Sequence, residues 1–384
     1  RGLGDVYKRQ VQTGILFERN DDMADTEKKT AKYRFLVDTI KEKIKNGEYE
    51  PGERMESENT LSEQFGYSRQ TVRQALSVLE QEGLIERRRG SGTYISSESR
   101  RTPRGNSIAI VTTYISDYIF PTIIRGIEET LTNAGYDLTL NVTNNHVEEE
   151  ARILQSLISR RVDGVIVEGT KTAFPNPNVE LYRRLEKMGV PVVFFNSYYR
   201  DLPDSVYVVT DDRKAGLQAV DLLIEKGCRR IGGVFKSDDM QGHGRYAGFS
   251  EGLIHNGCVL GDDNVVWYTT AERSRLFRPD NSDYMFERLR GCDGIVCYND
   301  QIAYGVIDLL QKHNVRVPED VLVIGFDDSS ISEYSPVKIT SFVHPKVEMG
   351  RAAANKLIHM LRSSDPEQPL VLDMPLHEKE STRR

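Results

Sequence analysis

The chain has 384 residues, of which 51 are Lys or Arg, 58 are Asp or Glu and 38% are hydrophobic. This length is enough for two or three compact units, each with its own core. The sequence contains no run of about 18 apolar residues and no early apolar segment followed by a small-residue cleavage site, which argues against a membrane span and a secretory signal, so we expect a cytoplasmic protein.

Charge is unevenly distributed along the chain. Residues 28–104 carry a net charge of +4, which leaves −11 for the remaining residues. A basic N-terminal part on an acidic body is typical of a protein that meets a polyanion at one end, although a solvated surface gives the same asymmetry. The cysteines lack paired CxxC spacing, and we therefore expect no metal site and no cofactor. They are Cys228, Cys258, Cys292 and Cys297.

The first residues of the chain show neither a helical nor a strand period. The segment does not begin with Met, and Met23 is a candidate start. We predict that residues 1–27 form a disordered tail without a function of their own.

Residues 28–96 are predicted to fold as a winged helix-turn-helix. A helix with apolar residues at three- and four-residue spacing begins near Ala31. A second short helix follows its N-cap Ser57, and a third follows Ser68. Two β-prone runs joined through residues 90–92 then form a hairpin, which is the wing.

The third helix of this unit carries side chains that suit the major groove of DNA. Arg reads guanine bidentately, Gln reads adenine, and Ser or Thr hydroxyls reach phosphates. The basic run at residues 87–89 lies beside the wing tip, where it suits a backbone or a narrow minor groove. Each such residue alone is more often a solvated surface residue, but the set together favours DNA binding.

The stretch from Tyr33 to Ser96 resembles the DNA-binding domain of the GntR family of bacterial regulators. The resemblance is carried by the S-R-x-T-V-R-x-A-L pattern at residues 68–76 and by a G-x-G-T wing. It implies DNA contacts on the recognition helix, its cap, the wing and the start of the first helix. The matching residues are Lys32, Ser68, Arg69, Gln70, Thr71, Arg73, Arg89 and Gly90.

A polar segment at residues 97–106, interrupted by Pro103 and Gly105, is predicted to be a flexible linker to a second unit at 107–384. In that unit short apolar runs alternate with amphipathic segments, which is typical of parallel sheets covered by helices on both faces. The runs lie at residues 108–112, 138–142, 163–168, 190–196, 205–210, 230–235, 293–298 and 321–326. Ligands of such sheets bind beyond the carboxyl ends of the strands.

Polar and aromatic residues follow these runs. Carboxylates and amides suit the adjacent hydroxyls of a small polyol, an Arg fork orients the carboxylates, and an aromatic ring covers the C–H face of the ligand. The candidates are Asp117, Tyr118, Phe120, Glu168, Lys171, Asn196, Gln241, Arg245, Asn299, Asp327 and His344. Structural alternatives remain, since Asn299 and Asp327 can cap a helix or turn, and His344 can pack against Pro345.

Residues 108–361 resemble the sugar-binding domain of the LacI/GalR regulators and the related periplasmic binding proteins. Motifs that carry the resemblance include DYIFPTIIRGIEE, RRVDGVIVE, CYNDQIAYGV and VLVIGFDDS. It implies a periplasmic-binding-protein-like α/β fold of two lobes joined by three crossovers. The first lobe is expected at residues 107–208 plus 330–343, and the second in the span between them plus the tail. The ligand contacts that the resemblance implies are Phe120, Asn196, Arg245, Asn299 and Asp327.

A GntR-type head on a LacI-type body resembles the arabinose-responsive repressors of Gram-positive bacteria, and the segments DGVIVEGTK and FKSDDMQG strengthen that likeness. The resemblance implies a homodimeric repressor without catalytic residues. Its binding to double-stranded operator DNA is expected to be relieved when L-arabinose binds between the lobes. Another sugar or a sugar phosphate is an alternative effector, and the sequence leaves open whether the sugar induces or co-represses.

Two other classes of protein remain for the body. A sugar-processing enzyme needs a second carboxylate near Asp327, and Glu168 is the one candidate. The chain carries no nucleophile elbow, metal spacing or phosphate loop that would support such chemistry. A transport binding protein would share the body but needs a signal peptide and no winged head.

Overall fold

The computed structural model describes residues 32–44, 48–50, 52–81, 83–88, 91–96, 106–115, 118–259, 261–363 and 365–384. The chain divides into two compact units after Arg104. The predicted tail at residues 1–27 and the predicted linker up to residue 105 lie outside the described residues. None of the helices in the described ranges is long and apolar enough to cross a membrane.

The first unit is the predicted winged helix-turn-helix. Its elements are α1 at residues 32–44, α2 (Glu58–Phe65), α3 (Arg69–Gln81), β1 (Ile85–Arg88) and β2 (Gly92–Ile95). Ser57 caps α2 by accepting the Thr60 N–H, and Gly66 ends this helix at a φ of 63°, a left-handed value that glycine adopts readily. Leu36, Leu61 and other buried apolar residues join the helices and the hairpin in one core.

The second unit contains two lobes, each built on a six-stranded sheet. The first lobe contains β3 (Ser107–Thr112), α4 (Phe120–Asn133), β4 (Asp137–Val142), α5 (Val147–Arg160), β5 (Gly164–Val167), α6 (Val179–Lys187), β6 (Val192–Phe195), β7 (Val206–Thr210), α12 (Lys346–Arg362) and β13 (Leu370–Leu372). The second contains α7 (Asp212–Glu225), β8 (Ile231–Lys236), α8 (Met240–His255), β9 (Val265–Tyr268), α9 (Pro279–Leu289), β10 (Gly294–Cys297), α10 (Asp300–Lys312), β11 (Leu322–Asp327), α11 (Ser330–Tyr334), β12 (Thr340–Val343) and β14 (Leu376–His377).

Each lobe is a doubly wound sheet. The strand orders are β13-β7-β6-β5-β3-β4 and β14-β12-β11-β10-β8-β9, and β14 is antiparallel to its neighbour while the other pairs are parallel. Helices α4 and α12 cover one face of the first sheet and α5 and α6 the other. The second sheet lies between α7 with α8 and α9 with α10. The predicted fold class is therefore confirmed, and each of the eight predicted apolar runs lies on a strand.

The predicted lobe boundary at residues 330–343 is wrong. Strand β12 pairs with β11 through Ile324–Thr340 and Phe326–Phe342, so this segment belongs to the second sheet. The chain returns to the first lobe only after β12, because α12 packs on α4 and β13 pairs with β7, so the predicted place of the whole tail in the second lobe is wrong too. Three crossovers result, after β7, β12 and β13, as the resemblance implied.

Two glycines allow α7 and α8 to pack in near contact. A Cβ at Gly216 would lie 2.2 Å from the carbonyl oxygen of Arg245, and one at Gly248 would lie 1.9 Å from the carbonyl oxygen of Arg213. Any larger residue would push the helices apart. This packing brings Asp212, the first residue of α7, against the side chain of Arg245 on α8.

Candidate functional site

A cavity of about 80 Å³ lies between the two lobes, beyond the carboxyl ends of their strands. A single water needs roughly 10–15 Å³, so the space corresponds to several waters and suits a small polar molecule. The predicted ligand-binding residues that line the cavity are Tyr118, Phe120, Glu168, Lys171, Asn196, Gln241, Arg245, Asn299 and Asp327. Asp117 lies outside the described residues, and His344 lies behind the cavity wall.

Arg245 is the central charged side chain of this cavity. Its buried guanidinium donates to Asp212 Oδ1 at 2.8 Å, to Asp327 Oδ1 at 3.3 Å and to the carbonyl oxygen of Tyr298. The rings of Tyr298 and Phe326 lie 4.9 and 4.5 Å from it. Burial opposes the charge, but the two carboxylates outweigh it and raise the pKa of the guanidinium. An Arg has five N–H donors and these contacts use three, so two have no hydrogen-bond partner among the described residues.

Tyr118 joins the two lobes across the cavity. Its hydroxyl donates to Asp327 Oδ2 at 2.7 Å and accepts the N–H of Asp300 at 3.3 Å. Two further contacts cross beside it: the amide of Asn145 donates to Thr270 Oγ1 at 2.6 Å, and a backbone N–H of the second lobe donates to a threonine of the first. The cleft is therefore closed in this structure.

Five of the ten described non-glycine residues with a positive φ lie in the cavity wall. Tyr118, Asn145, Lys171, Asn196 and Asp327 line it and have φ values of 65°, 58°, 47°, 60° and 92°, in the left-handed region that most side chains avoid. Such conformations persist only where the surroundings hold them, and they cluster at functional sites. The strain is independent support for this cavity as the functional site.

Glu168 and Asn196 form a connected pair on the first-lobe wall. Glu168 accepts from the Asn196 amide at 3.1 Å and from the Thr113 N–H at 2.9 Å, and its burial raises its pKa. The Asn196 Oδ1 lies 3.1 Å from His344 Nε2. Burial lowers the pKa of His344 to about 4, so this ring is neutral near pH 7 and positions Asn196 from behind.

Asn299 both caps a helix and lines the cavity. Its Oδ1 accepts the Ile302 N–H at 3.1 Å and so caps α10, while the same residue lines the cavity. Gln241 lies in the first turn of α8, and Lys171 follows β5 in the loop beyond its carboxyl end.

A second polar cluster on the second-lobe wall was missed by sequence reasoning. The Lys236 ammonium lies 2.8 Å from Asp239 Oδ2 and 3.4 Å from Asp238 Oδ1, and the Tyr298 hydroxyl donates to Asp239 at 2.6 Å. Its signal was the run FKSDD, which begins in the last two residues of the buried strand β8. The other lining residues that were not predicted are Thr113, Tyr114, Ile119, Asn145, Gly169, Ser197, Tyr268, Thr270, Arg273 and Gln301.

Asp300, the residue after Asn299, has a buried carboxylate. No Lys, Arg or His among the described residues forms an ion pair with it. It accepts from the Ser329 N–H at 2.7 Å and from the Ser341 hydroxyl at 2.6 Å. Burial, followed by the charge of Asp327, raises its pKa from 3.8 to about 7. The folded protein therefore holds this proton more tightly than the unfolded chain does.

We expect the Asp300→Asn variant to remove a pH-dependent loss of stability. Because the folded pKa is raised, the contribution of Asp300 is full below pH 3.8 and is lost as the pH rises through about 7. Wild-type stability should fall relative to the variant by up to about 4 kcal/mol across this window. Paired urea titrations at several pH values measure the difference, and parallel pH profiles for the two proteins would refute the assignment.

One acidic cluster outside the cavity has metal-ligand residue types. Asp328, Glu333 and His377 come together in the second lobe. The Lys379 ammonium lies 2.6 Å from both carboxylates and already supplies their positive charge. The cluster is therefore a salt-bridge network of the fold.

Helix α3, the predicted recognition helix, presents a polar outer face in the first unit. Ser68 Oγ accepts the Thr71 N–H at 3.2 Å and caps the helix, and Arg69, Gln70 and Arg73 are exposed. Thr71 is 7% exposed and its hydroxyl is bonded to that of Ser68, so it orders the first turn and offers little surface to DNA.

Charged residues flank this face. The Arg73 guanidinium lies 2.9 Å from Glu58 on α2, which fixes its direction, and Lys32 is exposed at the start of α1. Arg89 and Gly90 of the wing lie outside the described residues. The described part of the face therefore combines a hydrogen-bonding helix with positive charge, which suits DNA.

Comparisons with known proteins agree with both units. Residues 32–95 match the model of the gntR family of bacterial regulatory proteins, and residues 220–382 match a periplasmic binding protein-like domain. The chain is 39% identical over 362 residues to an arabinose metabolism transcriptional repressor of Halalkalibacterium halodurans, an alignment that covers 91% of this chain and 96% of the relative. It is 37% identical to the repressor of the same description from Geobacillus stearothermophilus, over 93% of this chain and 99% of the relative.

Solved structures extend the likeness to the fold. A complex of the transcriptional regulator CelR with cellobiose superposes with a TM-score of 0.65 at 25% identity, over 82% of this chain and 90% of that one. The regulator CcpA of Lactococcus lactis gives a TM-score of 0.63 at 25% identity, over 72% of this chain and 99% of that one.

Proposed function

The chain belongs to the family of the arabinose metabolism transcriptional repressors, which are sugar-responsive DNA-binding regulators, and on that premise we propose that L-arabinose binds in its interlobe cavity and releases it from operator DNA. The observation that carries the proposal is the cavity itself, where a buried Arg245 keeps two N–H donors beside the carboxylate of Asp327. Adjacent hydroxyls of a pentose match this donor and acceptor pair.

The remaining wall residues supply the other contacts that a pentose needs. Asn299, Gln241 and Lys171 offer donors from three separate segments of the chain, and the ring of Phe120 offers an apolar face for the C–H groups of the sugar. Asn196 and Glu168 are already bonded to each other, so they add acceptor lone pairs in a fixed direction.

The DNA-binding part of the proposal is a homodimer in the cytoplasm that grips two half-sites of an operator. Arg69, Gln70 and Arg73 read bases in the major groove, and Lys32 with the wing residues Arg89 and Gly90 holds the backbone. Closure of the cleft on the sugar changes the affinity of the heads for the operator. Sugar and DNA must then oppose each other by one and the same coupling free energy, typically about 1–3 kcal/mol.

An enzymatic role has no support in the cavity. Both carboxylate candidates are engaged by the fold, since Glu168 accepts from Asn196 and Thr113, and Asp327 accepts from Arg245 and Tyr118. Each carboxylate keeps lone pairs that can accept a sugar hydroxyl, and the relatives at 37–39% identity are transcriptional repressors. We therefore infer a binding function without turnover of simple glycosides.

A thermal-unfolding screen against a panel of sugars tests the effector. L-Arabinose at a hundred times its dissociation constant should add about 2.7 kcal/mol to the free energy of unfolding. No other pentose, hexose or sugar phosphate at the same concentration should add as much. The single tryptophan, Trp267 on β9, gives a fluorescence signal from the second lobe. A larger shift with a phosphorylated sugar would overturn the L-arabinose assignment and leave the fold unaffected.

A further inference from the structure

Glu150 on α5 is an acidic residue in the interior of the first lobe. Its side chain is 0% exposed, and no Lys, Arg or His among the described residues pairs with it. A buried carboxylate is costly unless several donors satisfy it. This residue lies outside the cavity, so ligand binding does not explain its place in the core.

Side-chain donors from one loop and from two nearby tyrosines converge on this carboxylate. Glu150 accepts from the Asn176 amide at 3.0 Å, from the Asn178 amide at 2.8 Å, and from the hydroxyls of Tyr199 and Tyr182 at 2.5 and 2.9 Å. The Tyr199 hydroxyl also accepts the backbone N–H of a loop residue, Thr170, at 2.6 Å. The carboxylate thus ties together both ends of residues 169–178, which we name the effector loop.

The effector loop reaches both the cavity and the second lobe. Lys171 lines the cavity and has a φ of 47°, a strained value that needs support from its surroundings. The Lys171 N–H donates to Asn145, which itself donates to Thr270 of the second lobe. Thr172 accepts the N–H of Met240 at the start of α8.

We propose that Glu150 is a positioning residue for the sugar, because its carboxylate holds the effector loop in the conformation that places Lys171 in the cavity and Thr172 against the second lobe. The inference rests on the proposed function. An ordered loop contributes its contacts without a further loss of conformational entropy, whereas a loop without its anchor must be ordered by the ligand.

The Glu150→Gln variant tests the inference because it replaces one acceptor oxygen by an NH2 donor, while the surrounding side chains all donate to this carboxylate in the wild type. We expect the dissociation constant for L-arabinose to rise by about tenfold, as a lost buried hydrogen-bond partner predicts. Operator affinity without sugar should stay unchanged. Glu149→Gln is the matched control, since Glu149 is the neighbour on the same helix and, within the described part of the chain, pairs only with Arg152 at the surface.

Limited trypsin digestion gives a readout that loss of global stability does not produce. Cleavage after Lys171, mapped by mass spectrometry at a temperature well below unfolding, should be faster in Glu150→Gln than in Glu149→Gln, and L-arabinose should slow it. Adding Asn178→Asp to Glu150→Gln exchanges donor and acceptor across the 2.8 Å contact and should restore part of the affinity and of the protection. If Glu150→Gln does not fold, Tyr199→Phe removes one donor and should shift both readouts in the same direction.

The outcomes separate this inference from the proposed function. Wild-type sugar affinity and slow cleavage after Lys171 in the folded Glu150→Gln variant would overturn the role of Glu150 alone. If the wild type binds none of the sugars tested, the proposed function fails. Faster cleavage in Glu150→Gln without any sugar effect would then reduce the role of Glu150 to loop stability and overturn its role in sugar binding.

Discussion

Replacing Arg245 by methionine is expected to destabilise the second unit by about 3–5 kcal/mol, because it leaves the buried carboxylates of Asp212 and Asp327 without their cation. Methionine keeps much of the side-chain length but supplies no N–H donor. The two donors proposed to meet the sugar vanish with the guanidinium, so affinity for L-arabinose should fall by at least about a hundredfold. Urea unfolding followed by Trp267 fluorescence measures stability, and calorimetric titration measures sugar binding.

The matched control for this prediction is Arg213→Met on α7. Arg213 is exposed and pairs with Glu251 at 2.8 Å on the surface, so its loss should cost only about 0–1 kcal/mol and leave sugar binding intact. Equal losses of stability in the two variants would mean that the buried ion pairs of Arg245 stabilise the fold no more than the surface pair of Arg213 does. A folded Arg245→Met variant with wild-type sugar affinity would remove Arg245 from the proposed site.

Replacing Arg69 by alanine is expected to weaken operator binding by about ten- to a hundredfold, the value of one bidentate base contact. Arg69 is exposed at the start of α3, where a recognition helix meets base edges. The affinity for L-arabinose should not change, because Arg69 does not line the cavity. Fluorescence anisotropy measures the effect with a duplex that the wild-type protein has enriched from a random-sequence pool.

Arg316→Ala controls for the loss of one positive charge. Arg316 is exposed in the second unit and pairs with Asp320 at 2.8 Å. Its replacement should leave both DNA and sugar affinity unchanged. If Arg69→Ala binds the enriched duplex as tightly as Arg316→Ala does, α3 is not the helix that reads the operator.

The strands around the cavity were predictable because parallel strands covered on both faces are continuous apolar runs. Once those runs are known, the carboxyl-end rule alone selects residues such as Asn196, Asn299 and Asp327. The helix caps of the first unit were predictable for a similar reason, since Ser57 and Gly66 act through local backbone geometry. Such features depend on neighbours in sequence.

The features that sequence reasoning missed depend on contacts between distant segments. Lys236 and Asp239 are typical of surface residues near the end of a strand, and the hydroxyl of Tyr298, which donates to Asp239 from 59 positions later in the chain, completes their cluster at the cavity wall. The assignment of Thr340–Val343 to the wrong lobe has the same origin, because an apolar run does not reveal which sheet it joins. Glu150 is a third case, since its donors come from residues 20 to 49 positions later in the chain.

The most direct test of the account is the affinity of the wild-type protein for the enriched duplex, measured by anisotropy with and without saturating L-arabinose. Coupling of about 1–3 kcal/mol predicts that the sugar weakens DNA binding by roughly 5- to 150-fold, and that saturating DNA weakens sugar binding by the same factor. Equal DNA affinity in the presence and absence of bound L-arabinose would contradict the account.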